Sequence, residues 1–166
     1  MTLALAWGLM ACGQGLNWRE ARFEDAPDRV MLPCKPELAQ RKVVLGSDET
    51  RLSMQGCEIQ GLQFTWSHLP LPHGAKSQEV LSVWQQASLK SLGAHIDAPL
   101  ALMPLNKSVG KTVDQGAQLD ASAAGRQAHF YWWANERHAY QLAVYAQGAQ
   151  IPLAVLQNLE EGVSLP

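Results

Sequence analysis

The cleanest alternation of apolar and polar positions runs from Leu62 to Leu69. Leu62, Phe64, Trp66 and His68 fall on one side, with Gln63, Thr65 and Ser67 on the other. A period of two predicts a strand with one apolar face, and Pro70 and Pro72 end it. Arg51 to Ile59 alternates more weakly, with Gly61 as a break before the next strand. Lys42 to Leu45 reads as a short strand before a polar turn over 46–50. Val30 to Leu32 is a short apolar piece stopped by Pro33. Trp18 to Phe23 gives a faint strand signal.

Helical spacing is clearest over Ser77 to Leu92. Val80, Leu81, Trp84, Ala87, Ser88 and Leu92 recur on one stripe. Ser77 is placed to cap the start, Glu79 suits the first turn, and Gly93 suits the stop. Pro152 fits the first turn of a closing helix over 151–160, which Gly162 ends. Between the helices, 100–102 and 117–122 read as short strands, and 106–116 as loop.

The strongest hairpin signal is Arg126 to Ala134 followed by His138 to Ala146, turning at Asn135, Glu136 and Arg137. With Trp133 opposite His138, one face holds His129, Tyr131, Trp133, Tyr140, Leu142 and Val144. The other holds Phe130, Trp132, Ala139, Ala143 and Tyr145. Both faces are apolar, so each needs a cover, whether from this chain or from a partner.

Residues 1–11 form an uncharged apolar run, and the first charge is Arg19. The run is too short to cross a bilayer as a helix, which takes ~20 residues. It fits the apolar centre of a secretion signal, although no lysine or arginine opens it. Leu9, Met10, Ala11 and Cys12 close the run, and this resembles the cleavage site of bacterial lipoproteins. The resemblance implies that Cys12 becomes a lipidated N-terminus. Gly13, where an aspartate would favour inner-membrane retention, implies the outer membrane with the domain facing the periplasm. An ordinary cleaved signal, or a buried N-terminal helix in a cytosolic domain, are the other readings of the same residues.

Export changes the meaning of the remaining cysteines, Cys34 and Cys57. In an oxidising compartment they are expected to pair, closing a loop of roughly two dozen residues for ~3.5 kcal/mol. Otherwise they are two separate buried thiols. The division of the chain that follows is a signal over 1–11, a tether over 12–28 and one α+β domain over 29–166.

The order of pieces within the domain resembles small bacterial envelope lipoproteins with a PsbP-like layout. The resemblance rests on Leu32, Pro33, Cys34, Lys35 and Pro36, on a helix ending Leu92, Gly93, Ala94, and on Tyr140 and Gln141 after the hairpin turn. It covers about 29–160. It implies an antiparallel sheet flanked by helices on both faces, an α/β/α sandwich, and an accessory role rather than catalysis.

Composition adds little that is specific. Hydrophobic residues are 47%, charged residues 17% and the net charge is −2. That balance gives no reason to expect a nucleic-acid partner. The expected partners are a lipid bilayer, through Cys12, and another envelope protein. No sequence motif for a metal, a nucleotide or a nucleophilic elbow occurs, and no cofactor is expected. The histidines leave one alternative: an envelope hydrolase or metal enzyme built on His68 and His73, or on His129 and His138 of the hairpin face. Tyr131, Trp133 and Tyr140 are either core or an exposed recognition patch.

Overall fold

The computed structural model describes residues 15–45, 48–94, 103–104 and 115–165. Cys12, the apolar run before it and the expected 100–102 strand lie outside them, as does most of the expected 106–116 loop.

The chain runs β1 (Arg19–Arg22), β2 (Arg29–Leu32), β3 (Glu37–Leu45), β4 (Asp48–Ile59), β5 (Leu62–Pro70), α1 (Ser77–Leu92), β6 (Met103–Pro104), β7 (Gln115–Ala123), β8 (Arg126–Ala134), β9 (His138–Gln147), α2 (Leu153–Glu161) and β10 (Val163–Ser164). Seven strands form one sheet in the order β3-β4-β5-β9-β8-β7-β6. A second sheet has the order β1-β2-β10. Every pairing is antiparallel.

The expected α/β/α sandwich is overturned. Among the described residues strand accounts for 52% and helix for 20%, with two helices. The large sheet does bury both faces, but the covers differ. On one face α1 lies over β7, β8 and β9, sealing Phe130, Trp132, Ala139 and Ala143 under Leu81, Leu89 and Leu92. On the other, the small sheet and α2 cover Phe64, Trp66, Tyr131, Trp133, Tyr140 and Leu142 with Ala21, Phe23, Val30, Leu32, Val155 and Leu159. A second sheet thus does much of the work expected of a second helical layer.

The small sheet also corrects the tether. Ala21 and Phe23 alternate toward the core and are buried, and Asp28 is 1% exposed. The folded part therefore starts before residue 29. Gln55 of β4 donates to the Arg22 carbonyl at 2.6 Å and helps hold this segment down.

The hairpin faces are those the alternation predicts, but the register differs by two residues. Trp133 pairs with Tyr140, Tyr131 with Leu142 and His129 with Val144. A two-residue shift preserves the faces because the side-chain period is two. Its cause is the place of the turn. Asn135 Oδ1 accepts the N–H groups of both Arg137 and His138 at 2.9 Å, and Asn135 N–H donates to the His138 carbonyl. This centres the turn on Glu136 and Arg137, one position later than the expected register does. Gln60 and Gly61 both adopt positive φ, at 54° and 74°, so the expected break is a tight hairpin turn joining β4 to β5.

The helices shift slightly. α1 begins at Ser77, with Lys76 in the capping position and no side-chain cap. Its buried stripe is Leu81, Gln85, Ser88, Leu89 and Leu92, while Ala87 is exposed. Ser88 can be buried because a polar partner lies beneath it: Ser88 and Trp132 both donate to Gln141 Oε1, at 2.6 and 2.8 Å. α2 starts one turn position after Pro152, which caps it. Glycine stands at the C-cap of α2 for lack of space rather than for its φ of −82°: a Cβ at 162 would meet Met31 Cβ at 2.7 Å.

Cys34 and Cys57 form a disulfide with Cα atoms 5.9 Å apart. The bridge fastens the connection between β2 and β3 to β4, and so joins the small sheet to the large one. Replacing both cysteines by serine is expected to lower the unfolding free energy by ~3 kcal/mol. Urea denaturation of the oxidised, reduced and doubly substituted protein checks this, and the reduced protein should unfold like the double variant.

Candidate functional site

The structure gathers its unusual buried polar groups where β5, the start of β9 and the 23–28 segment meet. β5 and β9 pair so that His68 lies opposite Tyr140 and Pro70 opposite His138. This brings His68 Nε2 to 2.9 Å from His138 Nδ1. Asp25 Oδ1 stands 3.5 Å from His68 Nδ1, an ion-pair distance beyond ordinary hydrogen-bond length. Phe23 packs against His68 and Trp66 with ring centroids 5.3 and 4.4 Å apart, and Tyr140 stacks on His68 at 5.1 Å.

Beside this row, Trp133 Nε1 donates to Asp28 Oδ2 at 2.9 Å. Burial pushes the Asp28 carboxyl up, against the pull of that indole N–H and of His138. Burial, then the Asp28 carboxylate, pushes the Tyr140 hydroxyl far up, so it stays protonated. Burial drives His68 down to about 4. His138 is also lowered, mainly by burial. At neutral pH the two rings are therefore uncharged and share one hydrogen bond, and Asp25 sits at the solvent side with a side chain 60% exposed.

A carboxylate, an imidazole and a second imidazole in a row look like the basic half of a catalytic triad. Among the described residues no hydroxyl is hydrogen-bonded to either imidazole. Ser53 is the cross-strand neighbour of His68, but its hydroxyl accepts from Gln40 Nε2 at 3.1 Å. Both nitrogens of His68 are turned elsewhere, toward Asp25 and His138. A single metal ion cannot take both of these neighbours through one His68 nitrogen, and among the described residues no three His, Cys, Asp or Glu side chains converge on a cation site.

The histidine pairs expected from sequence are not the pair that forms. His73 lies exposed in the loop before α1, away from the His68–His138 contact. His129 shares a hairpin face with His138 but lies at the opposite end, where its Nδ1 is 2.6 Å from Asp120 Oδ1. Tyr131 donates to Glu160 Oε1 there at 3.1 Å. The aromatic trio Tyr131, Trp133 and Tyr140 does come together, but inside, at 1%, 1% and 0% exposure. It is core beneath the small sheet and not an exposed recognition patch. Asp28 falls within the expected 12–28 tether but is the acceptor of a buried indole, a role that only the 105-residue contact with Trp133 reveals.

Comparison with known proteins gives no further guide: no family model, curated protein or solved structure matches the chain. Among the described residues no helix is long and apolar enough to cross a membrane.

Two outcomes follow from the cluster. His68 binds its proton more weakly folded, near 4, than unfolded, near 6.5. Its contribution is thus present above about 6.5 and lost as pH falls toward about 4; His138 has the same sign and Asp28 the opposite. Melting temperature should fall over that window, and His68→Leu should flatten the fall, as scanning calorimetry from pH 7.5 to 4 will show. Separately, Trp133→Phe keeps the ring but strips Asp28 of its donor. Denaturant melts should show a loss of about 1–3 kcal/mol.

Proposed function

We propose that the chain is a lipid-anchored envelope domain, held to a bilayer through Cys12 and probing its surroundings as a non-catalytic binding or accessory module. The observation that carries this reading is the Cys34–Cys57 disulfide. It suits a compartment that keeps thiols oxidised. It also uses up two of the three cysteines and leaves Cys12, at the end of the apolar run, as the odd one. The lipoprotein-like residues Leu9, Ala11 and Cys12 supply a use for it. The periplasmic face of the outer membrane is the location this implies. A second envelope protein is the expected partner. The relation to small lipoproteins of PsbP-like layout remains part of this proposal, as a kinship in anchoring and role rather than in helix placement.

What supports binding over hydrolysis around His68 is that, among the described residues, its imidazole bonds His138 and no hydroxyl is hydrogen-bonded to either ring.

Intact mass measurement of the protein extracted from its native cells tests the anchor. The expected species begins at Cys12 and carries the mass of acyl chains. Cys12→Ala should abolish that mass and move the protein from the membrane fraction to the soluble one. A full-length, unacylated chain with free thiols overturns the reading.

A further inference from the structure

β3 is an outermost strand of the seven-stranded sheet, and no described strand pairs with its far side. It is nine residues long and in regular register with β4 throughout. Strands at sheet edges are usually short, interrupted or covered. Here Glu37 through Lys42 and Val44 are exposed, and α1 packs over the opposite half of the sheet. Exposed large apolar side chains concentrate on the same hairpin: Leu38 at 62%, Val44 at 69% and Met54 at 38%. Val44 also borders a groove of about 480 Å³ shared with Val80 and Val83 of α1.

The backbone is set to pair. Leu45 and Asp48 close a two-residue connection, which makes them a mutually hydrogen-bonded pair. Alternate residues then point their N–H and C=O groups away from β4. These are Leu38, Gln40, Lys42 and Val44, whose side chains also share one face. Leu38 and Val44 flank a positive centre, because Lys42 lies directly opposite Arg51 and, among the described residues, only Glu49, 2.7 Å from Lys42, forms an ion pair with either.

We propose that β3 is a strand-addition site for an extended segment of another protein. The segment runs antiparallel to β3 and carries an apolar residue opposite Val44, an acidic one opposite Lys42 and an apolar one opposite Leu38. Read from its N-terminus, that is apolar, any, acidic, three of any kind, apolar. Backbone hydrogen bonds supply affinity and the alternate side chains supply choice. A second copy of this chain fits poorly: matching Leu38 to Val44 across a two-fold axis sets Arg41 against Arg41, a like-charge contact. This rests on the reading of the domain as a binding module, and names its surface and the chemistry of its partner.

The test uses the purified full-length chain and a blocked seven-residue peptide, Val-Thr-Glu-Thr-Ser-Thr-Val. In a titration followed by backbone amide NMR, shifts should be confined to β3 and its neighbour β4. Lys42→Glu should weaken binding roughly fivefold, and the peptide with lysine in place of glutamate should recover it on that variant. Lys42→Pro removes an outward donor while sparing the β3–β4 bonds and should weaken binding of both peptides; the melting curves of both variants establish that they are folded. Absence of shifts, shifts centred elsewhere, failure of the charge exchange, or a dimer in sedimentation joined through β3 each overturn the proposal. The lipid state of Cys12 does not enter this readout, so failure here and failure of the anchor are told apart.

Discussion

The fold depends on one requirement: the β8–β9 hairpin is apolar on both faces and has to be sheltered on both. Trp132 and Trp133 are adjacent in sequence and point in opposite directions, and both are essentially inaccessible to water. Each needs its own roof. α1 covers Trp132 and supplies Ser88 to the Gln141 amide that Trp132 also bonds. The small sheet covers Trp133 and supplies Asp28 to its indole. Each buried indole N–H thus has the polar partner it demands: Asp28 comes with the cover, whereas Gln141 comes from β9 and the cover adds Ser88 to it.

Much of this was legible one element at a time. β5 and the β8–β9 faces show in the sequence because a period of two is a local signal. The start and end of α1 show for a similar reason, with Gly93 taking the left-handed φ of 89° that stops it. What escaped depends on contacts between distant residues. β10 is two residues long and pairs Val163 with Val30, and no periodicity announces so short a strand. The second sheet was therefore invisible, and helices were assigned to a face that it largely covers. The hairpin register slipped because Asn135 closes on His138 and centres the turn on Glu136 and Arg137, one position later than expected.

The candidate site was less legible than the fold. His68 and His138 are 70 residues apart, and they meet only because β5 and β9 pair with Pro70 opposite His138. The sequence offered His73 and His129 as nearer companions. Proximity along the chain misled, because antiparallel neighbours are set by register rather than by spacing. The aromatic trio failed as a surface for the same reason: whether Tyr131, Trp133 and Tyr140 face water depends on Ala21, Phe23 and Val30, more than ninety residues away in the chain.

The early start of β1 has a spatial consequence for a tethered molecule. Arg19 is already paired with Leu32, only seven positions beyond Cys12. Stretched to the limit, that link reaches about 25 Å. On the proposed anchoring, the domain sits close to the headgroups on a short leash and cannot survey the depth of the surrounding space. Whatever engages it must itself come down to the lipid, or be rooted there beside it.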